Sequence, residues 1–178
     1  DKLLAGAQGA LVRHGVAEVA MGMPLRDVID VIGGGALPER RHVAAMSGVA
    51  NSLILADEFD APVSYEGMQA IGTGLGTGGF IVFDDTTDFV AVAAGVSRFL
   101  GVESCGQCVP CKQDGLELAG ILERMCKDTA NEADLAELDK RIGTVADSAR
   151  CNLALQHQLV VGNIRRLFPD ETRAHAHA

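Results

Sequence analysis

The sequence predicts an α+β fold, in which a small mixed α/β unit is followed by a four-helix bundle. From about Gln8 to Asp85, short apolar stretches alternate with glycine-containing turns, which is typical of short strands in a mixed unit. From about Thr87 the apolar residues recur at helical spacing. We therefore place one domain at 1–86, a helical domain at 87–170, and a disordered tail at 171–178.

The first domain is predicted to contain strands and a short amphipathic helix. Pro24 stands at the first turn of that helix, Val28 and Ile29 point toward a core, and a run of three glycines from Gly33 ends it. The predicted elements are, in order, strands at 10–13 and 17–21, a helix at 25–32, a strand at 42–46, a helical turn at 65–70 and a buried strand at 80–83.

The second domain is predicted to be four antiparallel helices with short links, which make a bundle. Thr86 or Thr87 is expected to cap the first helix and Gly101 to end it, and Asn131 is expected to cap the third. The predicted helices cover 88–100, 111–126, a segment after 131, and 151–168. The apolar positions expected to face the core are Leu116, Ala119, Leu122, Met125, Leu135, Leu138, Ile142, Val145, Leu155, Leu159 and Leu167.

The composition describes a globular chain. Its 178 residues are 48% hydrophobic and 22% charged, with a formal charge of -9. That charge argues against nucleic acid or an anionic membrane as a partner, and no apolar run reaches the roughly 18 residues of a spanning helix. The N-terminal residues do not resemble a signal peptide, so a reducing cytoplasm is the expected location.

The most informative stretch is the loop that joins the first two predicted helices. Cys105, Cys108 and Cys111 are each separated by two residues, and Cys151 follows much later. Three closely spaced thiols with a fourth from a distant segment favour a [4Fe-4S] cluster. Gly106 allows the tight turn that points backbone N–H groups at sulfur.

Two other interpretations of the cysteines stay open. Zinc also binds four thiolates, although its ligands usually come as two separated pairs, and unligated thiols are the third possibility. A disulfide framework is disfavoured because five cysteines leave one unpaired. If Cys111 and Cys151 lie at helix N-termini, the helix dipoles favour thiolates and an anionic cluster, and they would favour a zinc site equally.

Several other patterns have plainer explanations. Gly74–Gly79 fits the letters of a dinucleotide-binding turn but leads into a strand, so we interpret it as a turn. Cys126 is expected to be a buried free thiol and His157 a surface or satisfied core histidine. The carboxylates of Asp84, Asp85 and Asp88 are expected to cap a helix or lie at a solvated corner.

With the loop and bundle placed, the chain resembles the C-terminal half of the NADH- and FMN-binding subunit of respiratory complex I. The resemblance extends to the diaphorase subunits of NAD-linked hydrogenases and formate dehydrogenases. It is carried by the motif from Glu103 to Cys111, by Cys151, and more weakly by Met21–Arg26 and Gly78–Asp84. It covers about Gly9 to Phe168 and implies that the first domain is a soluble-ligand-binding β-grasp (ubiquitin-like) domain.

The resemblance also implies a function. Cys105, Cys108, Cys111 and Cys151 would ligate one [4Fe-4S] cluster that passes single electrons from a flavin to another iron–sulfur subunit. In the family, FMN and NAD bind a glycine-rich N-terminal domain, so we expect them on a missing domain or partner chain and no NADH oxidation by this chain alone. Lys112 replaces the common arginine, and Asn152–His157 departs from the family's turn after the fourth ligand.

We therefore expect an electron relay within a multi-subunit NADH-linked oxidoreductase. The alternative is a structural module in which zinc or a non-conducting cluster only stabilises the bundle. A chain that starts at Asp1 is also compatible with a piece of a larger dehydrogenase subunit.

Overall fold

The computed structural model of the chain describes residues 1–49 and 51–177. Its internal contacts divide it into two compact units, Asp1–Thr87 and the residues from Asp88 onward.

The first unit is built on a five-stranded mixed sheet with the strand order β2-β1-β5-β3-β4. The central pair β1 and β5 is parallel, and the other neighbouring strands are antiparallel. This order, with a helix between the first hairpin and the third strand, is the β-grasp arrangement that the resemblance implies. Its elements are β1 (Lys2–Gly9), β2 (Gly15–Ala20), α1 (Leu25–Gly33), β3 (His42–Ser47), β4 (Leu53–Leu55), a 3-10 turn (Ala56–Glu58), α2 (Tyr65–Ala70) and β5 (Gly79–Asp84).

The helix α1 supplies much of the core of this unit. Leu25, Val28 and Ile29 are almost fully buried and belong to one cluster with strand residues such as Ala5 and Val82. The helix prediction is confirmed, and Pro24 occupies the N-cap position immediately before it. Removing this apolar helix face from water is what holds the helix on the sheet.

The first predicted strand is wrong in position. The strand covers Lys2–Gly9 instead of 10–13, and it ends at Gly9, whose φ is +103°. A Cβ at Gly9 would lie 2.2 Å from the carbonyl oxygen of Val82, so only glycine permits this close approach to β5. The segment 2–9 is rich in alanine and glycine, which have low strand propensity, and two neighbouring strands impose its extended shape. The short strand β4 is a further element that the sequence pattern does not predict.

The second unit is the predicted bundle with a C-terminal extension. Helix α3 packs on α4 and α6, and α5 also packs on α4 and α6. Its elements are α3 (Phe89–Glu103), α4 (Val109–Cys126), β6 (Ala130–Asn131), α5 (Glu132–Thr144), α6 (Asn152–Leu167), α7 (Pro169–Ala174) and β7 (Ala176–His177). Asn131 caps α5 as predicted, through a reciprocal hydrogen-bond pair with Asp134.

Both ends of α3 differ from the prediction. Asp88, and not Thr86 or Thr87, caps its N-terminus by accepting a hydrogen bond from the backbone N–H of Ala91. Gly101 does not stop the helix, which continues to Glu103. A Cβ at Gly101 would lie 3.1 Å from a backbone oxygen of α4, so this glycine permits close helix packing rather than ending the helix.

Three leucines predicted to face the core point outward. Leu116 is 40% exposed, and Leu155 and Leu159 are each 44% exposed. Each neighbouring position along a helix is turned by about 100°, so a small error in the assumed face exchanges buried and exposed residues. The buried positions of α6 are Ala154, His157, Val160, Val161 and Ile164.

The prediction of a disordered tail at 171–178 is wrong for residues 171–177, which are held in place by contacts with the bundle. Glu171 accepts a hydrogen bond from the backbone N–H of Phe89 at 2.6 Å, and Thr172 is buried. The rings of Phe89 and Phe168 stack at 4.0 Å, and β7 pairs with β6. These tertiary contacts hold the segment in place although it has no amphipathic face, which is why its sequence contains no signal of order. Ala178 lies outside the described residues.

None of the helices in the described ranges is both long enough and apolar enough to cross a membrane.

Candidate metal centre

The three-cysteine loop connects the C-terminus of α3 to the N-terminus of α4. Cys108 is the N-cap residue of α4, and Cys111 lies in its first turn, after Pro110. Proline is well accommodated here because its missing N–H would have no partner in the first turn. Gly106 has φ of +79° and no heavy atom within 4 Å of a Cβ placed on it, so its role is the turn and not close packing.

The fourth cysteine lies at a second helix N-terminus. Cys151 is the N-cap residue of α6, with extended φ and ψ of -145° and 174°. The prediction that Cys111 and Cys151 lie at helix N-termini is confirmed. The first backbone N–H groups of a helix lack intrahelical partners and carry partial positive charge, so both helix starts favour nearby negative charge.

The thiol of Cys111 is influenced electrostatically by the other three cysteines. Burial raises the pKa of Cys111, and the neighbouring Cys108, Cys151 and Cys105 raise it further, while Lys112 opposes the rise. This effect on Cys111 indicates that Cys151 approaches the loop although 40 residues separate the two in the chain. Four thiolates brought together in this way repel one another unless a cationic group lies between them.

All four thiols are free and accessible. Cys105 and Cys151 are exposed, and Cys108 and Cys111 are half-buried. An open cavity of about 290 Å³ lies beside the fourth cysteine. Its lining residues are Ala146, Ala149, Arg150, Cys151, Asn152 and Leu155.

The four thiols lie at one end of the bundle, but they are not arranged around a single ion. Within residues 1–49 and 51–177, no three side chains of His, Cys, Asp or Glu are close enough to hold a single ion. A tetrahedral zinc ion with Zn–S bonds of about 2.3 Å requires sulfurs roughly 3.8 Å apart. An iron–sulfur cluster contains several metal and sulfide atoms, so its ligands stand farther apart. Four soft thiolate donors, three from the loop before and in the first turn of α4 and one from the start of α6, are a donor set that fits an iron–sulfur cluster.

The fifth cysteine is at the opposite end of α4. Cys126 is exposed, which corrects the expectation that it is buried. It is the last residue of α4, 15 residues after Cys111, which corresponds to about 22 Å along a helix. It is therefore too far away to replace any of the four thiols.

His157 is a core histidine and not a surface residue. It is 1% exposed, and its Nε2 forms a hydrogen bond with Ser97 Oγ. Its Nδ1 has no hydrogen-bond partner among the described residues, and burial lowers its pKa to about 4. Gly115 leaves room for the ring, since a Cβ there would lie 3.2 Å from Nδ1. His157 is thus a core histidine, as predicted, but only one of its two ring nitrogens has a hydrogen-bond partner among the described residues.

The remaining singled-out residues have structural roles. Gly74–Gly79 leads into β5 and opens no helix, as predicted. Asp84 accepts hydrogen bonds from the backbone N–H and Oγ1 of Thr86, which lower the pKa of its carboxyl group. Asp85 pairs with Arg41 and Asp88 caps α3.

Comparison with known proteins identifies the class of this fold and site. Residues 91–175 match the family described as the NADH-ubiquinone oxidoreductase-F iron-sulfur binding region. The helical unit of the chain belongs to this family, and the resemblance seen in the sequence is confirmed.

Particular relatives cover both units. The chain is 32% identical over 168 residues to the NADP-reducing hydrogenase subunit HndC of Solidesulfovibrio fructosivorans, covering 94% of this chain and 34% of that protein. It is 32% identical over 163 residues to the F subunit of the NADH-quinone oxidoreductase of Aquifex aeolicus, covering 92% and 37%. The corresponding protein of Mycobacterium bovis is 30% identical over 167 residues, covering 94% and 38%.

A solved structure shows the same architecture. The NAD+-reducing [NiFe]-hydrogenase in the H2-reduced state superposes with a TM-score of 0.84 and 25% identity, covering 97% of this chain and 29% of that chain. The chain thus spans about a third of the length of the relatives that it matches.

Proposed function

We propose that this chain relays single electrons through one [4Fe-4S] cluster ligated by Cys105, Cys108, Cys111 and Cys151. The observation that supports the proposal is that Cys151, at the N-terminus of α6, lies near enough to the three-cysteine loop at the start of α4 to raise the pKa of Cys111, within a unit that matches an iron–sulfur binding family. The cluster, when bound, supplies reversible one-electron transfer. The donor is a flavin-bearing component with FMN and NAD, and the acceptor is another iron–sulfur subunit of an NADH-linked complex.

The chain's own groups support an anionic, redox-active site. The N-terminal dipoles of α4 and α6 offset the negative charge of the thiolates and stabilise an added electron. The loop is half open to solvent, with Cys105 and Cys151 exposed, so a partner can approach the site closely. The five free thiols favour a reducing compartment such as the cytoplasm, where they stay reduced.

Metal analysis tests the proposal directly. The chain, isolated anaerobically, should contain about four irons and four acid-labile sulfides and no flavin, and should give an electron paramagnetic resonance signal when reduced. Zinc without sulfide would contradict the relay and support a metal-stabilised structural module.

Two cysteine variants make the test specific. Cys108→Ala should abolish the cluster signal, because it removes the central thiol of the loop. Cys126→Ala removes a thiol about 22 Å along α4 and should keep the full iron content. Circular dichroism of both variants checks that the helices remain. A normal cluster signal in Cys108→Ala would reject the ligand assignment.

A further inference from the structure

Lys112 closes the base of the three-cysteine loop. Its Nζ donates hydrogen bonds to the carbonyl oxygens of Gly101 at 2.9 Å, Val102 at 3.1 Å and Ser104 at 3.1 Å. These carbonyls belong to the last turn of α3 and its C-cap, where helical partners are missing. An ammonium group has three N–H donors, so the three acceptors match its whole capacity.

The same two ends are held by further hydrogen bonds. The hydroxyl of Ser104 donates to the carbonyl oxygen of Gly101 at 2.7 Å, and its backbone N–H donates to Leu100. On the other side, the backbone N–H of Lys112 donates to the carbonyl oxygen of Cys108 at 3.1 Å. Lys112 thus ties the start of α4 to the end of α3 and closes the segment 105–111, whose last three residues, from Val109, form the first turn of α4.

The ammonium group of Lys112 lies at the C-terminus of α3, where the helix dipole favours a positive charge and disfavours nearby thiolates. The C-terminus of α3 presents partial negative charge beside a loop that carries three thiols. An ammonium bonded to that helix end offsets this charge and adds a positive charge next to Cys111. Hydrogen bonds from a charged donor are stronger than neutral ones, so the clamp also resists opening of the loop.

We propose that Lys112 is a positioning residue for the metal centre: it holds the loop 105–111 in a ligating arrangement and stabilises added negative charge there. This inference rests on the proposed function for its redox consequence. The closure of the loop is a property of the chain without metal and can be measured separately.

The test compares Lys112→Met with Lys140→Met in the full chain. Lys140 is an exposed lysine whose ammonium contacts Glu137 on the same helix, so its variant controls for the loss of one charge. In the reduced, metal-free chain, hydrogen exchange of the amides from 104 to 112 should be at least tenfold faster in Lys112→Met than in the control. Lys112→Arg should recover part of the protection, since it keeps the charge but has a planar fork in place of three converging donors.

The metal-loaded chain provides the second measurement. Iron should be lost to a chelator about tenfold faster from Lys112→Met than from Lys140→Met, and the midpoint potential should be lower, because a nearby positive charge favours the reduced state. Equal exchange and equal iron loss in the two variants would overturn the inference. Absence of iron and sulfide from the parent chain would overturn the relay function instead, while faster loop exchange in Lys112→Met would still support the clamp.

Discussion

Acidification should destabilise the helical unit through His157, and His157→Asn should remove that part of the pH dependence. The imidazole is 1% exposed, and within the described part of the chain only one of its ring nitrogens has a hydrogen-bond partner, Ser97. A protonated ring would place an unpaired charge in the core between α3, α4 and α6, which is costly. The neutral form is therefore the one that fits the fold.

The magnitude follows from the two proton affinities. Burial lowers the pKa of His157 to about 4, compared with about 6.5 in an unfolded chain. The unfolded chain then binds the proton roughly 300-fold more tightly, which corresponds to about 3 kcal/mol. Above pH 6.5 the ring is neutral in both states and the free energy of unfolding is unaffected. The free energy of unfolding falls as the pH drops below 6.5, and the whole loss of about 3 kcal/mol is reached below pH 4. Between pH 7 and pH 5 the loss is about 2 kcal/mol.

Urea unfolding at pH 7, 6 and 5 measures this effect under reducing conditions. The parent chain should lose about 2 kcal/mol more than His157→Asn between pH 7 and pH 5. All other ionisable groups are the same in the two proteins, so their effects cancel in the difference. In nuclear magnetic resonance spectra, the imidazole of His157 should keep the chemical shifts of the neutral ring down to about pH 4. Parallel pH profiles for the two proteins would refute the reasoning.

Two further pairs of variants test the bundle by urea unfolding. Gly101→Ala should destabilise it by about 1–2 kcal/mol, because the new Cβ would lie 3.1 Å from a backbone oxygen of α4, whereas Gly95→Ala meets nothing within 4 Å and should stabilise by about 0.5–1 kcal/mol. The same sign in both would contradict this packing. Arg141→Met should lower the urea midpoint more than Arg165→Met, because Arg141→Met leaves the buried Asp114 carboxylate without its cation, whereas the partner of Arg165, Asp139, is half exposed. Equal losses would contradict the difference in burial.

Local patterns in the sequence are sufficient for several elements. The apolar period with Pro24 and the following glycines predicts α1, and Asn131 with its acidic neighbours predicts the start of α5. These signals lie within a few residues of the element that they mark. The cysteine spacing is equally local, and it is enough to indicate the iron–sulfur family to which the helical unit belongs.

Other elements depend on contacts that are distant in the chain. Strand β1 has a composition poor in strand formers, and it exists because β2 and β5 pair with both of its edges. The segment 171–177 has no amphipathic pattern, and its order comes from contacts such as the hydrogen bond between Glu171 and Phe89. A single sequence carries little local signal for either.

At the cysteines, too, some features are local in the sequence and others depend on long-range contacts. The spacing of Cys105, Cys108 and Cys111 is a local property of one loop, and it is sufficient to indicate soft-metal chemistry. The approach of Cys151 to that loop depends on how α6 packs on α3 and α4. In the sequence Lys112 is distinguished only as a substitution for arginine, because its three carbonyl partners are defined by the end of α3.

By itself, the sequence determined the α+β class, the bundle, the cysteine motif and the family of the helical unit. Apolar spacing and ligand spacing are one-dimensional properties, so they can be read directly from the order of residues. Only the tertiary structure decided which face of α6 is buried, how closely Gly101 brings α3 to α4, and that Lys112 closes the cysteine loop. These features depend on helix rotation and separation, which are set by packing over the whole unit and not by any local stretch of sequence.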